Sequence, residues 1–230
     1  MNPALSDLLT RPRDFFAALR TLSPKNSRYL WVVLLAGLLS ALYTVLSQRP
    51  VQQALSGIPG LPGGAFNLVV GGVSAVVVSL LLWLLLWGLG SLGAGREGRA
   101  GEVYGAAFLP SLIVSLILLP LAALFPLQVS VAPPDWGALE GPELAQAIQR
   151  YSLAVQNEVR GQPLSVLGNV LSYGVLAWQF FLAFVGFSVL TGDRSRALRG
   201  TLIPLAVFLV LGAAFWLLGR AVSGLTGGGA

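Results

Sequence analysis

Residues 66–92 read FNLVVGGVSAVVVSLLLWLLLWGLGSL, a run of 27 positions without one charged side chain. A helix needs about 20 apolar residues to cross the roughly 30 Å hydrocarbon core of a bilayer, so this run is long enough to span a membrane. It lies within a longer charge-free range, 50–95, and the ranges 103–134 and 161–192 also lack Asp, Glu, Lys and Arg. Soluble core helices do not stay uncharged over such lengths, so the pattern predicts a membrane protein.

The whole chain has the composition of a membrane protein. Of its 230 residues, 55% are hydrophobic and only 10% are charged, whereas soluble domains carry about 25% charged residues. We therefore predict an all-α, polytopic membrane helix bundle with five transmembrane helices. The predicted spans are residues 29–46, 66–92, 103–127, 164–190 and 201–218, which together form a membrane domain at 29–218.

The parts outside the spans are a cytoplasmic amphipathic segment at 1–28, a long outer loop at 128–163 and a short outer tail at 219–230. Proline lacks a backbone donor, so Pro110 and Pro120 in the third span and Pro204 in the fifth are the predicted kink points.

The positions of Lys and Arg predict the orientation. Ten of the 14 basic residues fall in the N-terminal segment, the loop after the second span or the loop after the fourth, and four fall on the other side. Cytoplasmic loops carry the excess of Lys and Arg, so the N-terminus is predicted in the cytoplasm and the C-terminus outside the cell membrane. The cytoplasmic residues then net +5 and the outer residues net zero. We interpret this positive charge as favouring contact with anionic lipid headgroups, and we predict no nucleic-acid partner.

Two further segments have helical periodicity. In the first, Phe15, Phe16, Leu19 and Leu22 recur at helical spacing after Pro12, which suits a first helical turn. This basic, Phe-rich segment predicts an amphipathic helix in the cytoplasmic interface, and the alternative is packing against the ends of the other helices. The second segment, residues 143–160, is predicted as an amphipathic helix in the outer loop, where it caps the bundle or rests on the outer leaflet.

No catalytic constellation is present in the sequence. The chain has no Cys and no His, which excludes thiolate nucleophiles, Cys- or His-based zinc sites and His general bases. Every Asp and Glu is predicted in a loop or at a span end, and an acid at an interface, such as Glu102 or Glu158, has no evident catalytic partner. We predict a protein that is not an enzyme and that has no catalytic residues, cofactor or metal site.

Some uncharged polar side chains fall within the predicted spans. Gln179 is the most notable, because an amide near mid-membrane must find hydrogen-bond partners. An interhelical hydrogen bond is one interpretation, and a contact to a pore or substrate is the other. The candidate intramembrane polar contacts are Ser111, Ser115, Trp178 and Gln179.

Three stretches resemble a known family. The first is Leu9-Thr10-Arg11-Pro12-Arg13-Asp14-Phe15-Phe16. The second is Gly98-Arg99-Ala100-Gly101-Glu102-Val103-Tyr104, which leads to Phe108-Leu109-Pro110, and the third is Leu176-Ala177-Trp178 before a short basic turn. In this arrangement the chain resembles the Yip1-domain family of five-span membrane proteins, in particular its bacterial branch. The resemblance implies five spans and a cytoplasmic N-terminus. The Asp-Leu-Tyr-Gly-Pro motif of the eukaryotic members is absent, so no Rab-GTPase binding carries over.

Two functions are compatible with the sequence. The first is a non-enzymatic membrane protein that organises membrane or binds lipid or a protein partner through a basic cytoplasmic face. The second is a small permease or lipid-translocating protein with a polar path between kinked helices. The oligomeric state and any protein partner stay open. The candidate lipid or partner contacts are Arg13, Phe15, Phe16, Arg20, Arg96, Arg99, Arg194, Arg196 and Arg199.

Overall fold

A computed structural model describes residues 4–58 and 64–227, with the side chains of 64, 65, 216 and 219–227 excepted. These residues are α-helical apart from turns, two short 3₁₀ turns and the loops, and no strand occurs among them. The helices are α1 (Leu5–Thr10), α2 (Pro12–Arg20), α3 (Leu30–Leu55), α4 (Gly64–Ala94), α5 (Ala100–Ala107), α6 (Leu109–Leu124), α7 (Gly141–Arg160), α8 (Pro163–Thr191) and α9 (Arg194–Gly227).

Within the described residues, five helical stretches are long and apolar enough to cross a membrane. They are Leu30–Leu55, Phe66–Ala94, Arg96–Leu124, Pro163–Thr191 and Arg194–Phe215. Many of their apolar side chains are exposed in the isolated chain, as expected for helices that face lipid tails. The prediction of an all-α fold with five membrane-spanning helices is therefore confirmed. The end of the predicted outer tail, 228–230, lies outside the described residues.

Proline affects these helices in two ways. The third candidate span is divided at Phe108, between α5 and α6, two residues before Pro110. The break follows from proline's missing N–H and from the clash of its ring with the preceding turn. Pro120 lies inside α6 and Pro204 inside α9, and neither ends its helix. α3 also includes Pro50 and runs to Leu55, past the predicted span end at residue 46, because a helix does not have to stop where its hydropathy falls.

The chain divides into two compact units. The first consists of the described parts of Met1–Tyr29, Trp83–Ala107 and Gln179–Ala230, and the second of Leu30–Leu82 and Phe108–Trp178. The core of the second unit joins residues from α3, α6, α7 and α8 with Ile58 and Leu127. In that core Tyr151, Val155 and Val159 bury one stripe of α7. This stripe of α7 therefore faces protein.

Candidate functional site

The N-terminal helix α2 buries its apolar face in the first unit. Phe15 and Phe16 are buried, and their rings meet edge to face with centroids 5.1 Å apart. Phe15 also lies 5.8 Å from the ring of Tyr29. A Cβ added at Gly186 of α8 would lie 2.8 Å from Cζ of Phe16, so this ring rests directly on the α8 backbone. The two phenylalanines are protein core in this structure, which agrees with the packing alternative and corrects the interfacial interpretation.

A buried carboxylate, Glu102 of α5, joins this N-terminal region to the rest of the unit. Its side chain is 0% exposed, and it accepts hydrogen bonds from Nε of Arg28 at 2.8 Å and from Nε of Arg99. The side chain of Arg99 is 6% exposed and that of Arg28 is 13% exposed. From the sequence, Glu102 was predicted at an interface with no evident catalytic partner. The structure shows instead a buried carboxylate with two guanidinium partners.

Arg99 also binds the C-terminal end of α2. Its Nη1 donates to the carbonyl of Leu19 at 2.7 Å and to that of Leu22 at 3.0 Å, and its Nη2 donates to the carbonyl of Ser23 at 3.4 Å. The last carbonyls of a helix have no intrahelical donors and carry partial negative charge, so a cation there is favourable. The guanidinium therefore connects three backbone acceptors of the N-terminal segment to Glu102.

The backbone of Arg99 is unusual as well. Its φ of +50° places a non-glycine residue in the left-handed region, directly before α5 begins. Such a conformation costs on the order of 1–3 kcal/mol and persists where the surroundings require it. The hydrogen bonds of the side chain supply that requirement. Arg99 was predicted as a lipid or partner contact; because it is buried and bonded within the protein, it is a structural residue.

Residues 95–99 after α4 and residues 192–199 at the start of α9, here called the two Arg-rich turns, lie against each other in the first unit. Nη1 of Arg196 in the second turn lies 2.6 Å from Oε2 of Glu97 in the first, an exposed ion pair. The backbones approach closely: a Cβ at Gly93 would lie 2.4 Å from both C and O of Arg199. The hydroxyl of Tyr104 donates to the carbonyl of Gly200 at 2.9 Å. The turns therefore form one surface whose backbone is fixed by these contacts.

A groove opens between the start of α2 and one face of α8. It has a volume of about 410 Å³, and Arg11 and Arg13 line it beside Asp14. Neither arginine forms an ion pair with a described residue. Phe181 and Phe184 of α8 form part of the opposite wall. The groove thus places two cations next to apolar side chains of a candidate span. Arg13 was predicted as a contact from the sequence but the groove was not, because helical periodicity does not predict which segment of α8 the N-terminal helix meets.

The remaining predicted contacts divide between surface and interior. Six of the arginines predicted as contacts are exposed: Arg13, Arg20, Arg96, Arg194, Arg196 and Arg199. Gln179 is buried, and its Nε2 has no hydrogen-bond partner among the described residues. Trp178 is exposed, and Ser111 and Ser115 are partly exposed. Cavities of about 400, 610, 710 and 410 Å³ open among the described residues. None of these four is lined by Ser111, Ser115, Trp178 or Gln179.

The buried cluster of Arg28, Arg99 and Glu102 was not predicted from the sequence. The spacing of Arg99 and Glu102, three residues apart, is the only local signal for it, since such residues are neighbours on a helix. Arg28 is 74 positions from Glu102 along the chain. No group of three His, Cys, Asp or Glu side chains that could hold a metal ion is found in 4–58 and 64–227.

The all-α fold, the five candidate spans and the lipid-facing apolar surfaces define a multi-pass helical membrane protein. The family model described as the Yip1 domain matches residues 6–218, so the chain belongs to the Yip1-domain family. This confirms the resemblance seen in the sequence. Yip1 is not a known enzyme family. Comparison with curated proteins gave no match, and neither did comparison with solved structures.

Proposed function

We propose that the chain is a non-enzymatic protein of the cell membrane that binds anionic lipid headgroups through its basic cytoplasmic face. In this proposal the N-terminus is cytoplasmic and the C-terminus is outside, as the distribution of Lys and Arg predicts. The observation that carries the proposal is the groove at Arg11 and Arg13.

The chemistry of the groove suits an anionic phospholipid. A guanidinium presents several N–H donors that match phosphate oxygens, and Arg11 and Arg13 have no competing ion pair among the described residues. Phe181 and Phe184 belong to a candidate membrane span, so acyl chains lie beside them when α8 is in a bilayer. A lipid can therefore place its phosphate at the arginines and its chains along the phenylalanines.

The other exposed arginines extend the basic surface. Arg194 and Arg199 lie at the start of α9, and Arg96 lies in the turn before α5. Basic side chains near an anionic leaflet each contribute about 1 kcal/mol of attraction. Arg196 is expected to contribute less because it already pairs with Glu97.

Photolabelling of the full chain in bilayers tests the proposal. The probe is phosphatidylglycerol with a diazirine near its headgroup, and labelling is mapped to residues 181–188. We expect this labelling to fall roughly thirtyfold in the double variant Arg11→Gln/Arg13→Gln, because two contributions of about 1 kcal/mol are removed and each 1.4 kcal/mol corresponds to about tenfold. The matched control, Arg49→Gln/Arg150→Gln, removes the same charge from the predicted outer side and keeps the labelling. Equal labelling in the two double variants would contradict the proposal.

A further inference from the structure

A cavity in the second unit has features of a site for an anionic headgroup, separate from the basic groove. Its volume is about 400 Å³, and its lining comes from α3, α7 and α8 together with Leu127. Ligand sites in proteins have volumes of about 300–1,000 Å³, so this one is large enough for a small polar group. It shares no residue with the groove at Arg11 and Arg13.

The cavity has one cation and no anion in its wall. Arg160 at the end of α7 lines it, and no Asp or Glu does. The Arg160 side chain makes no ion pair with any described residue. A guanidinium with no carboxylate neighbour attracts an anion, and its planar donors suit phosphate oxygens.

Polar side chains surround this cation, and the hydroxyls of Thr44, Ser47 and Ser172 already donate to carbonyls of their own helices. Thr44 and Ser47 line the cavity from α3, and Ser165, Asn169 and Ser172 line it from α8. On each helix these residues are three, four or seven positions apart, so they lie along one face. The Asn169 amide lines the same wall with no hydrogen bond to a described residue. An amide without a protein partner beside an unpaired guanidinium favours a ligand with several acceptor oxygens.

The position of this wall favours a lipid over a soluble anion. Asn169 and Ser172 lie within the candidate span Pro163–Thr191, and at about 1.5 Å per residue they are roughly 9 and 14 Å from its start. Exposed apolar side chains, including Val166 and Val170, lie on the same helix near these two residues. Polar groups at this depth are costly without partners, so a ligand that brings its oxygens there from the bilayer is favoured.

We propose that this cavity binds the phosphate of a membrane phospholipid, with Arg160 as the main contact and Asn169 as a second donor. The lipid chains leave the cavity along the apolar residues of α8. The site is independent of the proposed function at the basic groove, because it uses other residues in the other unit.

Photolabelling mapped to residues 165–172 tests this site in the reconstituted full chain. The probe is diazirine-bearing phosphatidylglycerol, and diacylglycerol with the same photoreactive chain is the control without phosphate. We expect labelling about tenfold above that control, because diacylglycerol has no phosphate to accept charged hydrogen bonds from Arg160. Arg160→Gln is expected to reduce labelling to the diacylglycerol level, and Arg160→Lys to keep part of it. The matched control Arg150→Gln removes a cation from the same helix outside the cavity and is expected to label like the wild type.

Three outcomes would overturn the proposal. The first is that the Arg160→Gln variant unfolds at the wild-type temperature and is still fully labelled. The second is that phosphatidylglycerol labels the wild type no better than diacylglycerol does. The third is loss of labelling on addition of inorganic phosphate alone, which would assign the site to a soluble anion. If Arg160→Gln does not fold, Asn169→Leu tests the same wall with a side chain that a bilayer tolerates, and full labelling of that variant counts against the proposal. Loss of labelling at 181–188 alone concerns the basic groove and leaves this site intact.

Discussion

Arg28 and Glu102 are 74 positions apart in the sequence, and their side chains meet through a hydrogen bond of 2.8 Å from Nε to Oε1. Arg99 binds the second oxygen of the same carboxylate. One fully buried acid therefore has two cationic partners, and one of them also holds the end of α2. This cluster fixes the N-terminal segment to α5.

Removing the acid is expected to destabilise the protein strongly. Glu102→Gln leaves Arg99 and Arg28 without a counter-charge, and breaking a buried pair from one side costs about 3–5 kcal/mol. Glu97→Gln is the matched control, because its pair with Arg196 is exposed and worth at most about 1 kcal/mol. The free energy of unfolding in mixed micelles measures both. Similar values for the two variants would show that the buried cluster is not a main support of the fold.

The aromatic contact of the N-terminal helix gives a second test. Phe16→Ala removes a fully buried ring and is expected to cost about 3–5 kcal/mol of unfolding free energy. Phe125 is 65% exposed, so Phe125→Ala is expected to change stability little. If α2 lies in the lipid interface instead, Phe16→Ala will leave stability near the wild-type value and weaken only the association of the N-terminal segment with the bilayer.

The close approach of the two Arg-rich turns can be tested with a pair of glycines on α4. A methyl group at Gly93 meets the backbone of Arg199, which cannot move aside as a side chain does, so Gly93→Ala is expected to cost about 1–3 kcal/mol or more. Gly88 has open space where its Cβ would be, and Gly88→Ala is expected to be neutral or stabilising by up to about 1 kcal/mol. Both changes add the same methyl group to the same helix. Equal midpoints of thermal unfolding for the Gly93→Ala and Gly88→Ala variants would refute the predicted contact.

The loop between α6 and α7 gives a prediction about pH. The Ser130 hydroxyl and backbone amide donate to Glu158, and the backbone amide of Val131 adds a third hydrogen bond. These bonds stabilise the carboxylate and hold the pKa of Glu158 below its ordinary value, with the Ser130 side chain as the largest cause. The stabilisation is therefore fully present above the ordinary pKa of a glutamate and is lost as the pH falls through the lowered value.

Hydrogen exchange at the amides of Ser130 and Val131 measures this effect, after correction for the intrinsic pH dependence of exchange. We expect protection to decrease in acid in the wild type. Glu158→Gln is expected to have weak protection at every pH. A wild-type protection that stays constant through the acidic range would contradict the assignment.

The basic turns provide the last prediction. Replacing Arg194, Arg196 and Arg199 with Gln removes three exposed cations and is expected to reduce the preference of the chain for phosphatidylglycerol over phosphatidylcholine. Spin-labelled lipids report this preference directly, and raising the salt concentration should weaken it in the wild type because exposed charges are screened. A preference that survives both the substitutions and high salt would place the lipid contacts elsewhere.

Much of this architecture can be predicted from the sequence alone. The charge-free ranges determine five spans because a charge in hydrocarbon costs several kcal/mol wherever the helices lie, so the signal is local and needs no knowledge of neighbours. Helical spacing likewise predicts that Phe15 and Phe16 share an apolar face. It does not predict what that face meets, since lipid and protein are both apolar and only the tertiary structure places Gly186 of α8 beneath Phe16.

The roles of the individual arginines could be predicted even less from the sequence and required the tertiary structure. In the sequence, Arg99 is one of five arginines in the two short basic stretches, and its spacing of three from Glu102 is matched by that of Arg196 from Asp193. The fold makes the difference by bringing the Leu19 carbonyl and the buried carboxylate of Glu102 to Arg99 while Arg96 stays exposed. Composition and periodicity therefore determined that the protein lies in a membrane and how many times it crosses. Which cations are bonded inside the protein and which are available to lipid is decided by contacts between residues far apart in the chain, because the partner of a buried charge is chosen by three-dimensional proximity.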